Sequence, residues 1–364
     1  MTRPIRVALI ASARYPVRQP FAGGLEAFVY QFAHALTAAG HSVTMFAAPG
    51  SAVDMPWDVL PVHTLEMSEA SREDPSVPEW VVHETHAYLS VMLNLADRLQ
   101  HSFDIVHNHS LHYLPLAMAR MLPMPMLTTL HTPPLKWLEQ AVALPGGVAG
   151  EFTAVSAFTA RQWEPVNGPV PVIPNGIDLD DWQPGPGGDY AVWSGRLVPE
   201  KGLPDAVAAA RKAGFRLRIA GPVGDPAYFE QAVRPLLGES VSYEGHLRRD
   251  ELNELVGGAA VALVTPRWEE PYGLVTAEAL ACGTPVAAVA RGGIPETIDR
   301  DSGRLAPPGD IDALVLAVRA AAQLPRGPVR ARAESHCSQA VMVERYLTRY
   351  AELIGDVEPE RVSA

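Results

Sequence analysis

The stretch TPRWEEPYGLVTAEALACGTPVAAVARGGIPET, residues Thr265–Thr297, decides the fold class. The apolar run Val261–Val264 comes directly before it and predicts a buried strand. A loop rich in proline and glycine then leads into a helix that begins near Leu274. Strands that alternate with helices along the chain are typical of a parallel α/β sheet.

Two carboxylates frame this connection between strand and helix. Glu270 lies in the predicted loop and Glu278 about one turn into the helix, with seven residues between them. Backbone amides near Gly273, Leu274 and Val275 lack helical partners, and free amides at a helix N-terminus attract phosphate. The layout suits an extended ligand that carries a sugar at one end, a ribose at the other and phosphates between them.

The run resembles the donor-site signature of the retaining glycosyltransferases of GT-B fold, in their fourth family. The resemblance implies that Glu270 holds hydroxyls of the donor sugar and Glu278 holds the ribose, while the amides of Gly273, Leu274 and Val275 bind the diphosphate. It further implies a nucleotide-diphosphate sugar as co-substrate, with no obligatory metal or other cofactor. UDP is the preferred nucleotide on family frequency alone.

A second constellation follows the first strand of the C-terminal half. Arg196 and Lys201 lie five residues apart beside Gly195 and Gly202, so that two cations can converge on one pyrophosphate. The pattern resembles the GRL and KG signature of the same family, in which the two cations stabilise the leaving diphosphate. Glu200, next to Lys201, is an alternative partner for the lysine.

The N-terminal half carries a glycine pair after its first strand. Gly23 and Gly24 resemble the GG-x-E loop of the family, whose backbone amides contact the diphosphate. Glycine leaves room for that approach, and a turn at this point can require positive φ.

Histidines concentrate where predicted strands end. His131 precedes two prolines and resembles the family histidine that faces the donor sugar near the reacting carbon. His109 is a candidate for the lining of the cleft, and His107 is assigned a structural role. A metal site at His107 and His109 is the alternative, but no cysteine or carboxylate cluster completes a ligand set nearby.

Two further groups of residues complete the predicted site. The resemblance places the nucleotide base near Gly221 and near His246 and Leu247. The acceptor side is less defined, and its candidate wall residues lie in the loop after the first strand and in PPLKWLEQA: Arg14, Tyr15 and Lys136.

The pattern of the whole chain predicts two doubly wound Rossmann-like domains that face each other across a cleft, the GT-B architecture. Residues 1–170 form the acceptor-side domain and residues 171–338 the nucleotide-sugar donor domain. Residues 339–364 are expected to pack back on the first domain, as the resemblance implies. The segment Gln183–Gly188, QPGPGG, has the composition of a disordered linker.

The composition of the chain limits which kinds of partner and compartment are expected. The chain has 364 residues and a net charge of −12, which argues against a nucleic-acid partner and leaves at most transient membrane contact. No apolar run approaches the ~18 residues of a membrane span. Cys282 and Cys337 are the only two cysteines, so a reducing, cytoplasmic compartment is expected.

These features predict a retaining glycosyltransferase of hexosyltransferase type. Its acceptor is a hydroxyl of a small molecule, a glycan or a lipid-linked glycan. Two alternatives stay open: a GT-B enzyme that resembles a glycan phosphorylase, and a non-catalytic protein that binds nucleotide sugars. A dinucleotide-dependent Rossmann enzyme is a weaker rival, because the first loop lacks the G-x-G-x-x-G spacing.

Overall fold

The computed structural model describes residues 3–51, 58–61, 65–144 and 147–357. The chain divides into two compact units. The first unit contains Met1–Val155, Ala160–Ile173 and Val343–Ala364, and the second contains Ser156–Thr159 and Pro174–Met342.

The first unit is built on a six-stranded parallel sheet with the order β3-β2-β1-β4-β5-β6. The strands are β1 (Arg6–Ile10), β2 (Ser42–Ala47), β3 (Asp58–Pro61), β4 (Ile105–Asn108), β5 (Met126–Leu130) and β6 (Glu151–Ala154). The α-helices that follow these strands are α1 (Gly24–Ala38), α2 (Glu69–Arg72), α3 (Glu79–Ala96), α4 (Tyr113–Met118), α5 (Lys136–Val142) and α6 (Ala157–Asn167). The first three residues of α6 belong to the second unit and the rest to the first.

The second unit has a parallel sheet of the same size, with the order β12-β11-β10-β7-β8-β9. Its strands are β7 (Tyr190–Ser194), β8 (Arg216–Ala220), β9 (Val241–Tyr243), β10 (Val261–Val264), β11 (Val286–Val289) and β12 (Gly303–Ala306). Its α-helices are α7 (Leu203–Ala213), α8 (Pro226–Tyr228), α9 (Arg249–Gly257), α10 (Leu274–Ala281), α11 (Ile294–Thr297), α12 (Ile311–Ala321) and α13 (Arg326–His336). The last helix, α14 (Gln339–Val357), begins in the second unit and continues in the first.

The central strands read as apolar runs because helices cover both faces of a parallel sheet. Val7–Ile10 in β1 and Val261–Val264 in β10 are buried along their whole length. The prediction of two parallel α/β domains is confirmed. Sequence reasoning named PPLKWLEQA as a candidate wall of the acceptor side without assigning it a helix, whereas α5 begins at Lys136.

Each sheet reverses its strand order at one point, and this position matters because ligands of open α/β sheets bind there. In the first unit the reversal lies between β1 and β4. In the second unit it lies between β7 and β10. The loops that follow these four strands carry most of the residues that the sequence singled out.

The C-terminal helix is joined to the first sheet by a buried polar network. The Tyr350 hydroxyl lies 2.5 Å from His107 Nδ1, and His107 Nε2 lies 2.7 Å from Thr129 Oγ1. The Tyr346 hydroxyl lies 3.1 Å from the same threonine oxygen. His107 therefore has both ring nitrogens engaged by protein groups, which agrees with the structural role assigned to it.

The segment Gln183–Gly188 is ordered by backbone contacts, so its interpretation as a disordered linker was wrong. The Gly185 amide donates to the Cys282 carbonyl at 3.0 Å, and the Gly187 amide donates to the Gly257 carbonyl at 2.9 Å. A Cβ on Gly185 would lie 2.4 Å from the Gly257 backbone. Glycine here permits close packing that a composition-based prediction does not detect.

The guanidinium group of Arg326 connects the segment Gln183–Gly188 to the residues around it. It donates to five acceptors at 2.8–3.1 Å, namely the carbonyls of Gly185, Gly257, Ala259 and Cys282 and the hydroxyl of Thr284. Such planar, multidentate donation to backbone oxygens is a property of arginine that lysine cannot reproduce.

Replacing Arg326 with Met is expected to lower the free energy of unfolding of the second unit by about 3 kcal/mol, because buried carbonyls lose their donor. The midpoint of urea unfolding measures the effect. Arg216→Met is the matched control, since Arg216 pairs with Asp189 at the surface, where both side chains are mostly exposed. Equal midpoints for the two variants would contradict the structural role of Arg326.

Candidate active site

Two loops of the second unit meet at the point where its strand order reverses. The Thr265 hydroxyl donates to the Gly202 carbonyl at 3.0 Å, and the Arg267 amide donates to the Glu200 carbonyl at 2.8 Å. The loop after β7 and the loop after β10 are thereby held side by side. Two motifs that lie about 70 residues apart in sequence form one site.

Lys201 and Glu270 make the closest contact between these loops. Lys201 Nζ donates to Glu270 Oε2 at 2.6 Å, and both side chains are mostly buried. Trp268 Nε1 donates to the same oxygen at 2.9 Å. The lysine therefore pairs with Glu270, and the alternative pairing with Glu200 was wrong, because Glu200 is exposed and holds the loop through its carbonyl.

The backbone of Glu270 is held from its other side by the loop after β11. The Gly293 amide donates to the Glu270 carbonyl at 2.8 Å. Gly292 has φ of +60°, and a Cβ there would lie 1.9 Å from the Glu270 carbonyl oxygen. Only glycine permits this approach, so the Gly292 position fixes where Glu270 stands.

Glu269 fastens the same two loops, and sequence reasoning missed it. Its carboxylate accepts from Arg291 Nη1 at 2.9 Å and from the Gly292 amide at 2.8 Å. The signal lay in the sequence as a second acidic residue beside Glu270 and a cation with two glycines some twenty residues later.

The helix after this loop begins at Leu274, where the sequence predicted it. Gly273 precedes α10 with φ of +85°, and no side chain caps the helix. The first internal contact is the Thr276 amide, which donates to the Gly273 carbonyl at 2.9 Å. The amides of Leu274 and Val275 therefore come before any helical acceptor and remain for an anion.

Arg196 follows β7 and is partly buried. Its Nε is buried and has no hydrogen-bond partner among the residues that the structure describes. A buried guanidinium nitrogen without an acceptor is costly, and an anionic ligand would remove the cost. Arg196 and Lys201 thus lie on one loop, the first with an unsatisfied donor and the second in an ion pair.

Glu278 lies on the second turn of α10 and is partly buried. Burial raises its pKa to about 7 from the ordinary value of 4.5. The carboxyl therefore changes its charge within the physiological range, and a ligand that donates hydrogen bonds to it favours the ionised form.

The residues predicted to contact the nucleotide base come together at the ends of β8 and β9. The Gly221 amide donates to the Gly245 carbonyl at 2.9 Å, and the Tyr243 hydroxyl donates to the Gly221 carbonyl at 2.8 Å. His246 follows as an exposed side chain and Leu247 as a partly buried one.

In the first unit, the glycine pair begins helix α1. Gly23 precedes the helix and its carbonyl accepts from the Ala27 amide at 3.2 Å, while Gly24 is the first helical residue. The φ of Gly23 is −166°, an extended value that any residue adopts, so the suggestion that this turn requires positive φ was wrong. The absence of side chains at the helix N-terminus remains the distinctive feature.

His131 and His109 form a hydrogen-bonded pair at the carboxyl ends of β5 and β4. His109 Nδ1 lies 2.9 Å from His131 Nε2, and Phe28 packs against both rings. Burial lowers the pKa of His131 to about 3 and holds the pKa of His109 well below its ordinary value. Both imidazoles are therefore neutral near pH 7.

The candidate acceptor-side residues differ in their surroundings. Arg14 Nε donates to Glu84 at 2.8 Å, and its guanidinium carbon lies 4.5 Å from the centre of the Trp80 ring. Tyr15 is exposed, and Lys136 is an exposed residue at the start of α5. Arg14 is therefore already neutralised by a carboxylate within its own unit.

Two family models match consecutive parts of this chain. Residues 22–181 match glycosyltransferase family 4, and residues 180–336 match glycosyl transferases group 1. Together they cover most of the chain. The chain belongs to glycosyltransferase family 4. The predictions of this family and of a hexosyltransferase-type enzyme are confirmed.

Curated relatives of this family 4 chain span most of its length. Glycogen synthase of Mycobacterium tuberculosis is 29% identical over 354 residues, covering 85% of this chain and 84% of the relative. D-inositol 3-phosphate glycosyltransferase of Acidothermus cellulolyticus is 28% identical over 385 residues, covering 83% and 79%.

Solved structures agree on the fold. HepE of Anabaena, crystallised in complex with UDP-glucose, matches with a TM-score of 0.73 at 17% sequence identity, over 96% of this chain and all of that one. At this identity the likeness concerns the GT-B fold. None of the described helices of the present glycosyltransferase combines the length and the apolar character that crossing a membrane requires.

Proposed function

We propose that this glycosyltransferase moves a sugar, with retention of configuration, from a UDP-sugar to a hydroxyl group of a small-molecule, glycan or lipid-linked acceptor. One observation carries the proposal. Lys201 Nζ contacts Glu270 Oε2 at 2.6 Å, which brings the loop that carries Arg196 and Lys201 beside a carboxylate where the strand order reverses. The N-terminus of α10, which no side chain caps, follows directly. A cation, a hydroxyl acceptor and free amides are the groups that a sugar diphosphate needs.

The proposal assigns roles to the groups of the second unit. Arg196, Lys201 and the amides that begin α10 bind the diphosphate, and Glu270 accepts from hydroxyls of the sugar. Glu278 accepts from the ribose. Gly221, His246 and Leu247 contact the base. The preference for UDP draws support from HepE, whose structures contain UDP and UDP-glucose.

In the proposed reaction the bond between the anomeric carbon and the β-phosphate oxygen breaks. A bond from the acceptor oxygen forms on the same face, and the departing phosphate takes the acceptor proton. Negative charge grows on the leaving diphosphate, so fixed cations stabilise the transition state more than the bound substrate. The proposal assigns no covalent nucleophile, because Glu270 and Glu278 serve to bind hydroxyls of the donor sugar and the ribose.

The first unit supplies the remaining roles. Neutral His131 acts near the reacting carbon, and the amides of Gly23 and Gly24 contact the diphosphate. Arg14, Tyr15 and Lys136 belong to the acceptor side, and His109 supports the site through its hydrogen bond with His131. A cytoplasmic location remains a prediction.

Product analysis tests the reaction. The purified chain is incubated with UDP-glucose and a panel of hydroxyl acceptors, UDP release is measured, and proton NMR reports the configuration of the new linkage. We expect UDP release that depends on the acceptor and an α linkage from the α-configured donor. A β linkage would contradict retention. Transfer to inorganic phosphate would favour the phosphorylase alternative, and binding without turnover the non-catalytic one.

A further inference from the structure

The carboxylate of Glu270 is used unequally by its neighbours. Oε2 accepts from Lys201 Nζ at 2.6 Å and from Trp268 Nε1 at 2.9 Å. Oε1 accepts from no group within the described part of the chain. Two donors fill the ordinary capacity of one carboxylate oxygen, so Oε1 is the atom left for a ligand.

The two donors differ in how firmly they can hold this orientation. Lysine carries a rotatable ammonium on a flexible side chain. Under the proposed function, Lys201 also binds the diphosphate. Trp268 is two residues from Glu270 on the same loop, has a rigid ring and donates through a single N–H. Lys201 Nζ lies 5.2 Å from the centre of that ring, within the range of a cation–π contact.

We propose that Trp268 is a positioning residue of the donor site, which fixes the Glu270 carboxylate so that Oε1 faces a hydroxyl of the donor sugar. The indole N–H holds Oε2 in place when the lysine turns toward the diphosphate, and the ring face keeps the ammonium near both. This inference rests on the proposed function, because it assumes that Glu270 meets the sugar.

The chemistry predicts which part of the donor depends on Trp268. UDP lacks the transferable sugar and therefore does not use Oε1, whereas a hydroxyl of the glucose in UDP-glucose donates to it. Loss of the indole N–H should therefore weaken the binding of UDP-glucose and leave the binding of UDP nearly unchanged. A general disturbance of the loop would weaken both ligands.

Isothermal titration of the full chain with UDP and with UDP-glucose tests this inference. Trp268→Phe keeps an aromatic ring beside Lys201 and removes the N–H. We expect the dissociation constant of UDP-glucose to rise on the order of tenfold, with that of UDP within about twofold. Glu270→Gln and the double variant complete a cycle, in which the Trp268 change has little further effect once Glu270 is altered.

Trp182→Phe is the matched control. Trp182 is buried in the same unit, and its Nε1 has no hydrogen-bond partner among the described residues, so the change removes the same N–H without removing a hydrogen bond. We expect its ratio of UDP-glucose to UDP affinity to equal that of the wild type.

The outcomes distinguish a failure of the positioning role of Trp268 from a failure of the proposed function. Equal losses for UDP and UDP-glucose in Trp268→Phe, or no loss for either, would overturn the positioning role while the donor site stands. A wild-type chain that binds neither ligand would overturn the proposed function, and the role of Trp268 with it.

Discussion

We expect Lys201→Met to lower kcat for sugar transfer by about a thousandfold, the size of effect that follows when a preorganised charge opposite a leaving group is lost. The ammonium stabilises the diphosphate as negative charge develops on it. The change also leaves Glu270, which is mostly buried, without its cation. Steady-state UDP release at saturating donor measures the effect.

Lys212→Met provides the control for this experiment. Lys212 pairs with Asp312 at the surface of the same unit, where both side chains are largely exposed, and such pairs contribute little. Its kcat should match that of the wild type. If kcat of Lys201→Met falls less than about threefold, Lys201 does not stabilise the leaving diphosphate.

We expect Glu278→Gln to weaken UDP binding by about a hundredfold at pH 8 and to flatten its dependence on pH. The pKa of Glu278 is raised to about 7 by burial, and the ionised carboxylate is the form that accepts from both ribose hydroxyls. Binding therefore releases a proton below pH 7. In the wild type, affinity should fall about tenfold for each pH unit below 7 and level off above pH 8.

The raised pKa of Glu278 also makes the stability of the unliganded protein depend on pH. Because the folded pKa lies above the ordinary 4.5, the contribution of Glu278 to stability is present in full below pH 4.5 and is lost as the pH rises through 7. Titration calorimetry between pH 6 and pH 8.5 checks the binding effect. Glu254→Gln, an exposed change in α9, is the control. An unaltered pH profile in Glu278→Gln would contradict the ribose assignment.

Local patterns were sufficient to predict the elements that carry the site. The apolar run at Val261–Val264 and the glycine before Leu274 define β10 and α10, because burial and helix initiation depend on neighbours in the chain. The alternation of such units predicted two parallel sheets. Motif spacing then placed Arg196, Lys201, Glu270 and Glu278 around one sheet edge.

What the sequence could not supply was contact between distant loops. Lys201 has Glu200 as its neighbour in sequence but bonds to Glu270, because β7 and β10 are adjacent in the sheet. The bracing of the loop by Glu269 and Arg291 has the same origin. Gln183–Gly188 was interpreted from composition alone, whereas its order comes from contacts with Gly257 and Cys282. Partners set by strand order are invisible to local propensity.

The nucleotides that the second unit binds decide whether its site is a nucleotide-sugar donor site. A thermal-shift panel compares UDP, GDP, ADP and TDP with their common sugar conjugates, since a ligand of the folded state raises the unfolding temperature according to its affinity and concentration. We expect a selective rise with UDP and UDP-sugars, and a smaller rise for Glu278→Gln because its affinity is lower. No rise with any nucleotide, at concentrations far above those of ordinary donors, would contradict the assignment of this site to a nucleotide-sugar donor.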